Sequence, residues 1–143
     1  MPGVRNGARV VLRYFAPLYV VAIVVQIFLA GEGIFGIKAG PKLDDQHTLN
    51  AHRDFGFIIA EPGAVLLLIV ALLAWHRDKR VRTVSIVLPF VLFIQAILGG
   101  AGRWGGAFHP LVAFILLAAF GWLSRRLWEE RRAADAAASV PAG

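Results

Sequence analysis

Cysteine is absent from this chain of 143 residues, and that gap removes several kinds of chemistry at once. Disulfides, iron–sulfur clusters, thiolate metal ligands and cysteine nucleophiles are all excluded. Acidic residues are scarce, 9 against 15 lysines and arginines, which leaves a formal charge of +6. Familiar catalytic signatures are missing too. There is no phosphate-cradling glycine loop, no His-Glu-x-x-His zinc motif and no nucleophile elbow.

What is abundant is apolar sequence. An apolar content of 58% and a mean hydropathy of +0.67 exceed what a soluble domain of this length carries. A membrane-spanning helix needs ~20 predominantly apolar residues. Tyr14–Phe35, His52–Trp75, Thr83–Gly100 and Phe108–Leu127 meet or approach that length. The first stretch is too long for a signal-peptide core and lacks a cleavage site, so it is expected to stay as a helix. The expected fold is all-α: an integral membrane antiparallel four-helix bundle built from two repeated helix hairpins. It occupies residues 1–128. Residues 129–143 form a tail that begins as a charged helical extension and ends in Ala-, Ser- and Pro-containing sequence expected to be disordered.

The basic residues sort by side. Arg5, Arg9 and Arg13 precede the first span; Arg77, Lys79, Arg80 and Arg82 crowd the connection between the second and third; Arg125, Arg126, Arg131 and Arg132 follow the fourth. The positive-inside rule makes these clusters cytoplasmic, with both termini inside the cell membrane. The charge is therefore a topology signal read by anionic lipid headgroups, and nucleic acid is discounted. Tyr14, Trp75, Trp104, Trp122 and Trp128 fall mostly near span boundaries, as an aromatic belt requires.

An internal repeat organises the rest. Gln26-Ile27-Phe28-Leu29-Ala30-Gly31-Glu32-Gly33 matches Gln95-Ala96-Ile97-Leu98-Gly99-Gly100-Ala101-Gly102 in the pattern Gln-x-x-Leu-small-Gly-x-Gly. Each copy is followed by an outer loop and then by a histidine, His52 or His109, that opens the next apolar run. Both histidines then lie at the outer ends of their helices, at similar depth. Two imidazoles related by a pseudo-two-fold axis suit a metal held between opposed ligands, with haem iron the first candidate. Gly56 lies one turn below His52 and Ala113 one turn below His109, small residues that leave room for a flat macrocycle. They also let helices approach closely with no ligand at all. Pro110 is suited to the first position of a helix, which places His109 as its cap. Arg53 and Arg103 stand at the same level. They are candidates to pair with haem propionates, or simply to snorkel to the interface.

These residues carry a family resemblance. Gln95-Ala96-Ile97-Leu98-Gly99-Gly100, a short loop and His109-Pro110-Leu111-Val112-Ala113 resemble the half-repeat of the haem A synthase family, and His52-Arg53 looks like its His-Arg pair. That family comprises two four-helix halves, each with histidine ligands on its second and fourth helices, and nearly the whole chain resembles one half. The resemblance implies a b-type haem held by His52 and His109. The family's catalytic half has a glutamate three residues before its first histidine, where Leu49 stands here, and often a cysteine pair in the first outer loop. Haem binding, rather than haem oxidation, is therefore what the resemblance implies.

Other polar residues yield weaker expectations. A carboxylate at a span centre costs ~2.5–3.5 kcal/mol on insertion scales, so Glu61 is a functional candidate. It is nine residues beyond His52, ~13 Å along the axis and half a revolution out of phase, so it points away from the His52 face. Pro62 and Gly63 should kink the helix there. Glu61 could serve a proton path, or be a protonated carboxyl bonded to Gln26 or Gln95 between helices. Glu32 is expected to be solvated, and His76 to be interfacial. Asp44, Asp45, His47 and His52 could hold zinc or copper on the outer face, or form a polar capping loop.

Two function classes follow. One is a haem-binding membrane protein, b-type cytochrome-like or haem-handling. The other is a non-enzymatic scaffold, accessory subunit or small transporter whose histidines only cap helices. So short a bundle exposes much apolar surface, which makes a homodimer or a larger membrane complex plausible.

Overall fold

A computed structural model of the chain describes residues 2–36 and 46–139. The described residues are all-α and 94% helical. Helix α1 spans Pro2–Gly36, a short 3-10 turn Gln46–Leu49 leads into α2 at Asn50–Ala60, and α3 covers Pro62–Ala74. Helix α4 runs Lys79–Gly100 and α5 Gly102–Ala138. Helices α2 and α3 together act as one span, so four helical rods are long and apolar enough to cross a membrane.

Local chemistry explains the breaks. Pro62 has no amide hydrogen, and the chain interrupts at Glu61 (φ −106°, ψ −78°) before restarting with proline in the first turn of α3. The carboxylate of Asp78 caps α4, accepting from the amides of Arg80 at 2.7 Å and Val81 at 3.4 Å. Gly102, at φ +68°, reverses the chain between α4 and α5 in a single left-handed step. That turn corrects one expectation. Helix α5 begins at Gly102, well before His109, so the stretch between the third and fourth apolar runs is helical and Pro110 lies inside the helix. His109 is not a cap. The far end of α5 also passes the boundary at Trp128 and continues to Ala138, supported by i,i+4 pairs Arg125–Glu129 and Arg131–Asp135, both at 2.7 Å.

Each rod buries one stripe at alternating four- and three-residue spacing. These are Leu12, Ala16, Tyr19 and Ile23 on α1, then Ala60, Ala64, Leu67, Ala71 and Ala74 through α2 and α3. Val81, Ser85, Leu88 and Leu92 do the same on α4, and Leu116, Phe120, Leu123 and Leu127 on α5. Helices α1 and α4 each pack on both α3 and α5, closing a ring of four. At its centre Tyr19 stacks on Phe120, with centroids 4.6 Å apart and planes 6° from parallel. The Tyr19 hydroxyl donates to the carbonyl of Ile59 at 3.2 Å. Glycine at 63 makes that bond possible, because a Cβ there would sit 2.7 Å from the hydroxyl. Outside the stripes the rods are apolar and exposed, among them Phe28, Ile69, Ile97 and Phe114. Such a surface suits lipid, and the coarse architecture is that of a multi-pass membrane protein.

Candidate functional site

Polar residues concentrate at the two ends of the ring. At one end α1 and α2 are joined by a reciprocal exchange between a glutamine and a histidine. The Gln26 side-chain amide donates to the carbonyl of His52 at 2.7 Å, and His52 Nδ1 lies 3.1 Å from the carbonyl oxygen of Gln26. The same exchange recurs between α4 and α5. There Gln95 donates to the carbonyl of His109 at 2.9 Å, and His109 Nδ1 is 2.9 Å from the Gln95 carbonyl. A carbonyl can only accept, so both Nδ1 atoms carry the hydrogen. Both Nε2 atoms then carry a lone pair, the tautomer a metal requires, and that of His52 also lies 3.5 Å from the Gln26 side-chain amide nitrogen.

Helices α2 and α5 make no close backbone approach, yet the two imidazoles meet across the bundle. Their ring centroids are 6.0 Å apart and their planes lie at 77°. Both rings are half-buried. Gly99 lies against His109, where a Cβ would fall 3.3 Å from the ring. The side-chain oxygens of Gln26 and Gln95 are both buried and without a hydrogen-bond partner.

Other candidate residues separate from this group. Gly56 does not open space beside the rings as expected. The Gln26 amide fills that space, because a Cβ on Gly56 would lie 2.5 Å from its nitrogen. Ala113 is half-buried below His109, while Arg53 and Arg103 are exposed at the same end. Arg103 lies over the Trp104 ring, 6.0 Å from its centroid. Glu61 is exposed on the outside of the bundle, away from Gln26 and Gln95, which are committed to the histidines. Asp44, Asp45 and the side chain of His47 lie outside the described residues. Among the described residues, no three His, Asp or Glu side chains converge as a metal site.

The glutamines are what sequence reasoning missed. They head both copies of the repeat, and the sequence suggests them only as markers of that pattern or as partners for Glu61, not for the histidines. The available signal was their identity at the head of both copies of the repeat, each ahead of a histidine.

At the opposite end the chemistry is ionic. His76 Nε2 meets Glu130 at 3.1 Å, and the Asp78 amide donates to His76 Nδ1 at 3.2 Å. Burial pushes the His76 imidazole below the ordinary histidine value, with the Glu130 carboxylate opposing the shift. The downward direction agrees with the bonding. A ring that accepts at Nδ1 and donates from Nε2 is neutral, and protonation would set a second hydrogen against the Asp78 amide.

No family model, curated protein or solved structure matches the chain.

Proposed function

We propose that this protein is a haem-binding membrane protein, b-type cytochrome-like or haem-handling, with His52 and His109 as axial ligands to a b-type haem. The observation that carries this reading is the doubled glutamine–histidine exchange, which commits Nδ1 of each ring to a backbone carbonyl and leaves Nε2 unprotonated on two rings that meet across the bundle. Two imidazoles that were to hold one iron between Nε2 atoms aimed at each other would have ring centres ~6 Å apart, from ~2 Å per metal–nitrogen bond and ~1 Å from each nitrogen to its ring centre. The observed separation is 6.0 Å. A donor set of two neutral imidazoles, each with its other ring nitrogen bonded to a backbone carbonyl, fits haem iron and its need for oriented ligands.

In this reading the chain is two copies of one helix hairpin, packed antiparallel about an axis along the membrane normal. The matched segments at Gln26 and Gln95 support it. The arginine-rich end faces the cytoplasm of the cell membrane, with both termini inside, and the histidine end faces out. Arg53 and Arg103, exposed beside the rings, pair with the propionates. The orphaned oxygens of Gln26 and Gln95 accept from water or ligand hydroxyls at that level. When bound, haem supplies one-electron chemistry or a cargo for delivery. The protein's share is to fix both tautomers and hold the rings near perpendicular.

A non-enzymatic scaffold is the second reading, favoured by the Gln26 amide filling the space at Gly56. There the two exchanges only latch helices together. An absorption spectrum of protein expressed with ample haem separates the readings. Bis-histidine ligation gives a low-spin Soret band that reduction sharpens into split visible bands. A folded, colourless protein that takes up no haem on reconstitution would leave the scaffold.

A further inference from the structure

The arginine end carries an inference that does not depend on the histidine pair. A cleft of about 610 Å³ opens there between α1 and α5, lined in part by Arg9, Arg13, His76, Arg77 and Arg126. An adjoining cleft of about 370 Å³ adds Arg5 and Arg82. The nearby carboxylates are already engaged. Asp78 holds the α4 amides and Arg126, Glu130 holds His76 and Arg126, and Asp135 holds Arg131.

Among the described residues neither Arg9 nor Arg13 pairs with a carboxylate. Arg9 donates only to neutral acceptors, the carbonyls of Ala74 at 3.2 Å and Trp75 at 3.4 Å. Arg13 Nε is buried and has no acceptor, while its guanidinium lies 5.9 Å from the centroid of the Trp128 ring. A guanidinium nitrogen held out of water with no acceptor is costly, and a fork of such donors matches a phosphate oxyanion.

The surroundings select the source of the phosphate. Tyr14, Trp75 and Trp128 ring this level, as interfacial aromatics do. An exposed apolar stripe, Val10, Tyr14, Leu18 and Val21, runs along α1 toward the middle of the span, joined to the cleft where Tyr14 and Arg13 both meet Trp128. Headgroup donors above an acyl-chain track suit a lipid rather than a free ion. We propose that this cleft is a binding site for one anionic phospholipid, its phosphate on Arg9 and Arg13 and an acyl chain along the α1 stripe.

Native mass measurement of the full chain, exchanged into micelles holding equal phosphatidylglycerol and phosphatidylcholine, tests this. One phosphatidylglycerol should be retained per chain in preference to phosphatidylcholine, and excess inorganic phosphate should not displace it. Arg13→Gln combined with Arg9→Gln should weaken that retention roughly tenfold or more, and Arg132→Gln should leave it unchanged. Arginine footprinting with a dicarbonyl reagent on the unaltered protein guards against a variant that fails to fold. Arg9 and Arg13 should be protected by phosphatidylglycerol and not by phosphatidylcholine, with Arg132 modified equally in both. Equal retention or equal protection by the two lipids would overturn the proposal. So would protection by inorganic phosphate alone, which would make the cleft a free-anion site.

Discussion

The two ends of the bundle solve the same problem, fastening four helices, with opposite chemistry. The histidine end uses neutral groups, with each glutamine and histidine side chain bonding the other residue's backbone. The arginine end uses charge, with His76–Glu130 and Arg126–Asp78 tying α5 to the connection between α3 and α4. Ion pairs at an exposed interface are individually weak and respond to pH and salt. Amide–imidazole exchanges join uncharged groups, so salt screens little of what holds them. The contrast teaches that one end is built to hold two rings in a fixed orientation, whereas the other offers charge to its surroundings.

The largest expected effect falls on the rings themselves. Replacing His52 or His109 with Ala should abolish the low-spin haem spectrum, whereas His76→Ala and His47→Ala should leave it in place. Spectra of all four variants, purified in parallel, decide the matter. If His76→Ala removed the bands while His52→Ala did not, the assignment of roles to the two ends would be reversed.

Packing separates the ends next. Gly56→Ala forces a Cβ against the Gln26 amide and breaks its bond to His52, so a loss of ~1–3 kcal/mol is expected. Gly7→Ala, on the exposed start of α1 with nothing within 4 Å, should instead stabilise by up to ~1 kcal/mol. Thermal unfolding in detergent reads both. Equal effects at the two sites would erase the contrast.

The exchanges should prove equivalent. Gln26→Leu and Gln95→Leu each remove one side-chain bond between helices, expected to cost ~0.6–2 kcal/mol apiece in a membrane protein. The two losses should add in the double variant, since separate helix pairs are involved. A strongly unequal pair of values would argue against a duplicated unit.

The smallest expected effect is a pH dependence from His76 at the arginine end. His76 is held neutral when folded and titrates near ~6.5 when unfolded. As pH falls through that value the unfolded chain gains a proton that the folded chain resists, so stability should decline between the two values and level off below the lower one. Stability should be flat on this account at higher pH. His76→Phe should remove the decline, measured as midpoint temperature against pH. A decline that survived the substitution would assign it to other groups.

Much of the architecture was legible because a lipid solvent imposes strong rules. Length and hydropathy alone located four spans, and Pro62 marked the break between α2 and α3, since proline cannot donate the amide a helix needs there. The start of α5 was misread. Pro110 suits the first turn of a helix, yet α5 begins eight residues earlier, at the left-handed Gly102, and carries the proline in its interior. Glu61 was placed correctly as pointing away from His52, because phase along a helix is fixed by 100° steps. Its suggested partners were not correct, since Gln26 and Gln95 had nearer claims on them.

By itself the sequence determined an all-helical chain with four rods of spanning length, basic clusters before the first rod, between the second and third and after the fourth, and a histidine after each copy of a glutamine-headed segment. Those are properties of composition, spacing and covalent geometry, which need no neighbour to be read. Tertiary structure alone decided that Gln26 and Gln95 orient the imidazoles, that Gly56 accommodates an amide, and that the two rings meet 6.0 Å apart. Each of those depends on which faces of separate helices come together. That is settled by the fit of Ala, Leu, Tyr19 and Phe120 along the buried stripes, since lipid tails leave apolar packing to shape rather than to water.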